Sequence, residues 1–125
     1  MNLFELIKEF HVKFKLEYND KPRVLPRDLG HFRMDFMEEE LSEYAHAVST
    51  NDKEKQLDAL VDLVYVALGT AYLHGFDFNE GFRRVHEANM KKVRAVDVKE
   101  SKRRSVYDII KPKGWTPPDL SDLVK

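Results

Sequence analysis

Five carboxylates in two stretches of the chain have the spacing to share one surface. Glu39, Glu40 and Glu43 fall in the run Glu38-Glu39-Glu40-Leu41-Ser42-Glu43, and at helical pitch residues three and four apart lie on one face. Asp58 and Asp62 are four apart in a second stretch, and Asp62 is flanked by Leu60, Val61, Leu63 and Val64. A carboxylate among apolar neighbours must pair with a base, take up a proton or bind a cation, because desolvating its charge is costly. Lys53 and Lys55 stand at the start of that stretch, out of reach of Asp62; an arginine from elsewhere in the chain is the alternative partner. If two antiparallel helices bring the stretches face to face, the five acids converge with no positive charge among them. Hard oxygen ligands in that number suit Mg²⁺ or Mn²⁺ rather than zinc, and Mg²⁺ completes its shell with waters and substrate phosphates. The chemistry would be metal-assisted attack on a phosphorylated ligand. The plainer alternative is a solvated acidic face.

Charge along the chain is segregated. Residues 35–62 carry a net of −7 and residues 91–113 a net of +6, within an overall charge of −1. The basic block, with Lys91, Lys92, Arg94, Lys102, Arg103 and Arg104, supplies a complement for an anionic ligand; two solvated faces that attract one another would leave the same pattern. Trp115, Tyr107 and the run Lys102-Arg103-Arg104 raise a nucleic-acid-binding module as another reading, but the near-neutral total and the lack of a nucleic-acid motif make that partner the weaker choice. His46 follows Glu43 by three residues, the Glu-x-x-His spacing of carboxylate-bridged di-iron bundles. Such a site needs two pairs; His86 has no Glu at that spacing, so a second copy of the chain would have to provide one. His11, His31 and His74 read as surface or capping residues. With no cysteine, thiol nucleophiles, Cys-built zinc sites and Fe–S clusters are excluded.

The elements that must position these residues are helical. At 125 residues the length suggests one domain, 1–125, large enough to bury a core without staples. Asn2 can cap a first helix over about residues 2–18, with Leu3, Leu6, Ile7, Phe10 and Phe14 on its inner face. Pro22 and Pro26 mark a connection. A second helix runs over about 28–48, with Phe36, Met37, Leu41, Tyr44 and Val48 as its apolar stripe. After the polar break Ser49-Thr50-Asn51-Asp52, a third spans about 52–74 and ends at Gly75. A fourth over about 78–92 opens with Asp77-x-x-Glu80 and points Phe82, Val85 and Met90 inward. Past it, 93–125 reads as an extended tail. No period-two strand pattern competes, so the fold class is all-α, a four-helix-type bundle with an extended C-terminal tail. The third helix is apolar on nearly every side, which predicts a subunit interface and a homodimer or homotetramer. Leu60–Leu73 is too short to span a bilayer and the N-terminus lacks a signal-peptide pattern, so a soluble, cytoplasmic protein with no membrane partner is expected.

The spaced set Glu39-Glu40-x-x-Glu43 and the acidic motif ending at Asp62 resemble the MazG-like all-α NTP pyrophosphohydrolases, and more closely their phosphoribosyl-ATP-pyrophosphohydrolase-like branch. Asp58-Ala-Leu-Val-Asp62-Leu-Val-Tyr65-Val-Ala-Leu-Gly69-Thr70 looks like that branch's third helix. His86-x-x-Asn89-Met90-x-Lys92 looks like its fourth-helix signature, and Lys111-Pro112-x-Gly114-Trp115-x-x-Pro118-Asp119-Leu120 like its tail. The resemblance implies Mg²⁺-dependent hydrolysis of a nucleoside triphosphate between the α- and β-phosphates, Mn²⁺ being able to substitute. It implies that Glu39, Glu40, Glu43 and Asp62 hold the metal, that Glu40 activates the water, and that Asn89 and Lys92 contact the nucleotide. The chain departs from the family's Glu-x-x-Asp motif at Ala59, with Asp58 one position earlier as the substitute ligand.

Overall fold

All residues from Met1 to Lys125 are described by a computed structural model. Its helices are α1 (Leu3–Lys13), α2 (Arg27–Ser49), α3 (Lys53–His74) and α4 (Phe78–Asn89), followed by two short strands, β1 (Val93–Arg94) and β2 (Ile109–Ile110). The chain is all-α apart from that pair. It forms two compact units, Met1–Phe78 with Leu123–Lys125, and Asn79–Asp122.

In the first unit most helix ends are built locally. The Asn2 side chain accepts from the Phe4 and Glu5 N–H groups and starts α1. That helix ends five residues earlier than its apolar spacing suggests. Lys15 turns left-handed (φ 57°), and the Leu16 N–H reaches back to the His11 carbonyl at 2.9 Å, which satisfies the terminal carbonyls and stops the ladder. The same device closes α2, where Asn51 has φ 53° and the Asp52 N–H bonds the Ala47 carbonyl at 3.0 Å. Asp52 then caps α3 by accepting from the Lys55 N–H at 3.1 Å. Three residues thus fold α2 and α3 into an antiparallel hairpin, packed along most of their length, with α1 against α3. α3 ends at Gly75 (φ 75°), where a Cβ would stand 2.8 Å from Tyr18 Cε2 and 3.0 Å from the Asp20 carbonyl oxygen. The connection from α1 to α2 is strapped to this end: Arg23 Nε–H donates to the Leu73 carbonyl at 2.9 Å, and His74 Nδ1–H donates to the Arg23 carbonyl at 2.7 Å.

The core joins Phe4, Ile7, Leu25, Leu68, Ala71, Tyr72 and Leu73, with Tyr18, Leu29 and Phe78 at its edge. It therefore gathers on the C-terminal half of α3 and leaves the N-terminal half free for the acids. Of the expected row on α1 only Ile7 is buried, joined by Phe4 and His11; Leu3, Leu6, Phe10 and Phe14 are exposed. Phe4 stacks on Phe78 with centroids 6.1 Å apart. His11, only 2% exposed, satisfies its Nδ1 on the Ile7 carbonyl at 2.9 Å, so burial costs it little. It is a core residue, against the expectation of a surface role. On α2 the residues turned into the protein are Arg33, Glu40 and Ala47, at intervals of seven; Leu41 and Val48 are exposed. α3 is long and apolar enough, by length and composition, to cross a membrane, a property shared by core helices of bundles, and it is longer than the stretch Leu60–Leu73 suggested.

In the second unit α4 stops at Asn89, three residues before the expected end, and Phe82, Val85 and Met90 are exposed, contrary to their expected inward orientation. The tail is not simply extended. β1 and β2 pair antiparallel, Val93 opposite Ile110 and Arg94 opposite Ile109, and a 3₁₀ turn at Val98–Glu100 is capped by Asp97. Arg84 ties α4 to the chain end through a bidentate pair with Asp122, at 2.6 and 3.0 Å.

Candidate metal centre

The α2–α3 hairpin carries its acids at the end where the chain turns. Glu40 and Glu43 are one helical turn apart on α2, Asp62 faces them from α3, and one carboxylate oxygen from each lies within 4.8 Å of the others. Glu40 is 7% exposed, Asp62 is half-buried and Glu43 is open to solvent. The burial of Glu40 follows from the row it occupies on α2, the same row as Ala47, pressed against α3.

The electrostatics are those of a site short of positive charge. Glu40 Oε2 is buried with no hydrogen-bond partner, a state that costs a charged oxygen heavily. Loss of water, a hydrogen bond to Glu43 and the negative charges of Glu43, Asp62 and Glu39 together push the Glu40 carboxyl up to about 7. Asp62 is raised for the same reasons: burial first, then Asp58 and Glu43. No arginine neutralises them. Arg33, two turns from Glu40 on the same row, is buried, but its Nε–H donates to Thr70 Oγ1 at 3.0 Å and its Nη2–H to the Val66 carbonyl at 2.9 Å. Asp62 forms no ion pair, so the alternative of an arginine partner is removed.

Not all five acids converge. Glu39 and Asp58 stand outside the triad; with Glu43, Lys55 and His46 they line an adjoining cleft of about 500 Å³. Ala59 is buried and lines this cleft as well, so a longer acidic side chain at 59 would start from the helix face turned toward α2, whereas Asp58 starts from an exposed position. No histidine belongs to the triad. His46 lines the adjoining cleft beside Glu43, and His86 is exposed on α4. Asn89 is the last residue of α4, and Lys92 follows in the second unit with its Nζ 5.1 Å from the centroid of the Trp115 ring. The sequence reading missed Arg33; its only signal was a cation spaced seven residues before Glu40.

Three carboxylates with hard oxygen donors, one holding a buried unpartnered oxygen, fit a divalent cation of the Mg²⁺ type better than they fit each other. A helical hairpin with such a cluster is an all-α architecture carrying a candidate cation site. Over residues 7–89 the sequence matches the family model of phosphoribosyl-ATP pyrophosphohydrolase, and the chain belongs to that family. It is accordingly a pyrophosphohydrolase acting on nucleotide-like substrates. Comparison with curated proteins finds no match.

Proposed function

We propose that the chain is a Mg²⁺-dependent nucleoside triphosphate pyrophosphohydrolase that cleaves between the α- and β-phosphates and releases a nucleoside monophosphate and pyrophosphate. The observation that carries this reading is the buried, unpartnered oxygen of Glu40 inside a three-carboxylate cluster, in a chain whose family acts on the same kind of bond. Glu40, Glu43 and Asp62 would hold the metal, with Glu39 and Asp58 completing the acidic surface beside it. A bound Mg²⁺ supplies charge neutralisation for the phosphates and a more acidic water. Glu40 would take the proton of the attacking water, and Glu43 and Asp62 would accept hydrogen bonds that orient that water toward the α-phosphate. Asn89 and Lys92 contact the nucleotide, and Lys92 offsets the charge that develops on the departing pyrophosphate.

The same reading makes the protein a cytoplasmic homodimer or homotetramer. Its support is the apolar cleft of about 320 Å³ between α1 and α3, lined by Leu3, Leu6, Leu60, Val61, Val64 and Tyr65, a surface that a free protomer would leave in water.

A turnover panel of ribo- and deoxynucleoside triphosphates with Mg²⁺ or Mn²⁺, its products separated by ion exchange, tests the reaction. Monophosphate and pyrophosphate, lost in EDTA, are expected. Diphosphate and orthophosphate would overturn the cleavage position, and turnover unaffected by EDTA would overturn the metal.

A further inference from the structure

The second unit contains a cleft of about 500 Å³ lined by Lys92, Lys102, Arg103 and Lys111 together with Glu100 and Asp108, a size in the range of small-molecule sites. Its two acids are already engaged. Asp108 accepts from Ser101 Oγ at 2.7 Å, from Arg103 at 2.9 Å and from its neighbour's N–H, and Glu100 accepts from the Val96 N–H at 3.2 Å. Lys92, Lys102 and Lys111 have no carboxylate partner.

The arrangement of the lysines is imposed by the backbone. Val93 pairs with Ile110, so continuing the ladder by one step sets Lys92 opposite Lys111. Like charges directly across a ladder are destabilising. Here one aromatic ring offsets the repulsion: Lys92 Nζ and Lys111 Nζ each lie 5.1 Å from the centroid of Trp115, within cation–π range. The ring itself is fixed, its Nε1–H donating to the Ala88 carbonyl at 2.7 Å. Two ammonium groups held beside one ring, with a third lysine lining the same cleft and none of the three in an ion pair, form a cradle suited to an anion.

We propose that this cleft is an oligophosphate clamp in which Lys92 and Lys111, aligned by Trp115, together with Lys102 grip the di- or triphosphate group of a ligand. The ligand class rests on the nucleotide reading above, which already places Lys92 at the substrate; Lys102, Lys111 and Trp115 are added here. The test is binding without metal. Trp115 is the single tryptophan of the chain, so its fluorescence reports on the clamp directly. Inorganic tripolyphosphate, titrated into the full-length protein in EDTA at constant ionic strength, should give a saturable signal that Glu40→Gln leaves in place. Lys102→Ala and Lys111→Ala should each weaken binding by about tenfold, and Lys111→Arg should retain most of it, which separates lost charge from a lost fold. Equal binding by wild type, Lys102→Ala and Lys111→Ala would overturn the clamp, as would an equal response to sulfate. A protein that binds tripolyphosphate through these lysines but hydrolyses no nucleotide keeps the clamp and loses the reaction. One that hydrolyses nucleotides with an unchanged KM in both lysine variants does the reverse.

Discussion

Glu40 sits where a bundle would normally place an aliphatic side chain, and its neighbours make the metal-free protein uncomfortable. Exchange of Glu40 for Gln removes one of the mutually repelling charges and gives the buried position an amide that can donate to Glu43. Activity is expected to fall by about 100-fold or more, while the melting temperature in EDTA rises; an active or less stable variant would contradict the assignment. The same residue sets a pH dependence. In the folded, metal-free protein its carboxyl is pushed up to about 7, above the unfolded value near 4.5, so between these limits the folded state holds the proton more tightly. That contribution is complete below the unfolded value and lost as pH rises through about 7. Urea melts in EDTA should therefore show stability declining from pH 5 to pH 8, with the decline reduced in Glu40→Gln and by saturating Mg²⁺. The triad was half legible in the sequence. Spacing by three and four set Glu43 with Glu40, but which of Glu39 and Glu40 turns inward depends on the row that α2 buries. The Arg33, Glu40 and Ala47 row is not one that apolar periodicity selects.

Among the elements, α3 is organised around a contact that only glycine allows. A Cβ on Gly69 would stand 2.7 Å from Arg33 Nη2 and 3.0 Å from His11 Cε1. Arg33 cannot swing away cheaply, because it is buried and bound to both Thr70 and the Val66 carbonyl. Gly69→Ala, which by helix propensity alone would stabilise α3, is instead expected to cost about 1–3 kcal/mol through overpacking, read as a lowered midpoint in thermal or urea melts. The helix spans themselves were largely readable, since Asn2, Asp52 and Gly75 act as the caps that their types suggest. The errors have local causes. α1 stops early because Lys15 takes a left-handed conformation, which a lysine does not advertise. The strands escaped notice because two residues each are too few for a period of two to register. Phe82, Val85 and Met90 follow helical spacing yet stay exposed, so periodicity marked an apolar face without saying what lies against it.

For the molecule as a whole, the exposed apolar surface of α1 and α3 is the feature a lone protomer explains least. If copies associate there, Leu60→Glu is expected to reduce the mass seen by light scattering to that of one chain, with the helical circular dichroism kept. A wild-type protein that runs as a 14.7 kDa particle would remove the idea. The β1–β2 ladder has a different kind of reach. The chain between the strands, residues 95–108, can change length without altering which residues face each other, because the pairing of Val93 with Ile110 is set by the strands. A single residue added between Ile110 and Lys111 is another matter: it would turn Lys111 to the opposite side, and two would carry its position about 7 Å along the chain. If the cleft holds phosphate as proposed, the loop between the strands is free to drift in length but not in phase, and the junction of Ile110 with Lys111 is the place where a shift would first show as lost affinity.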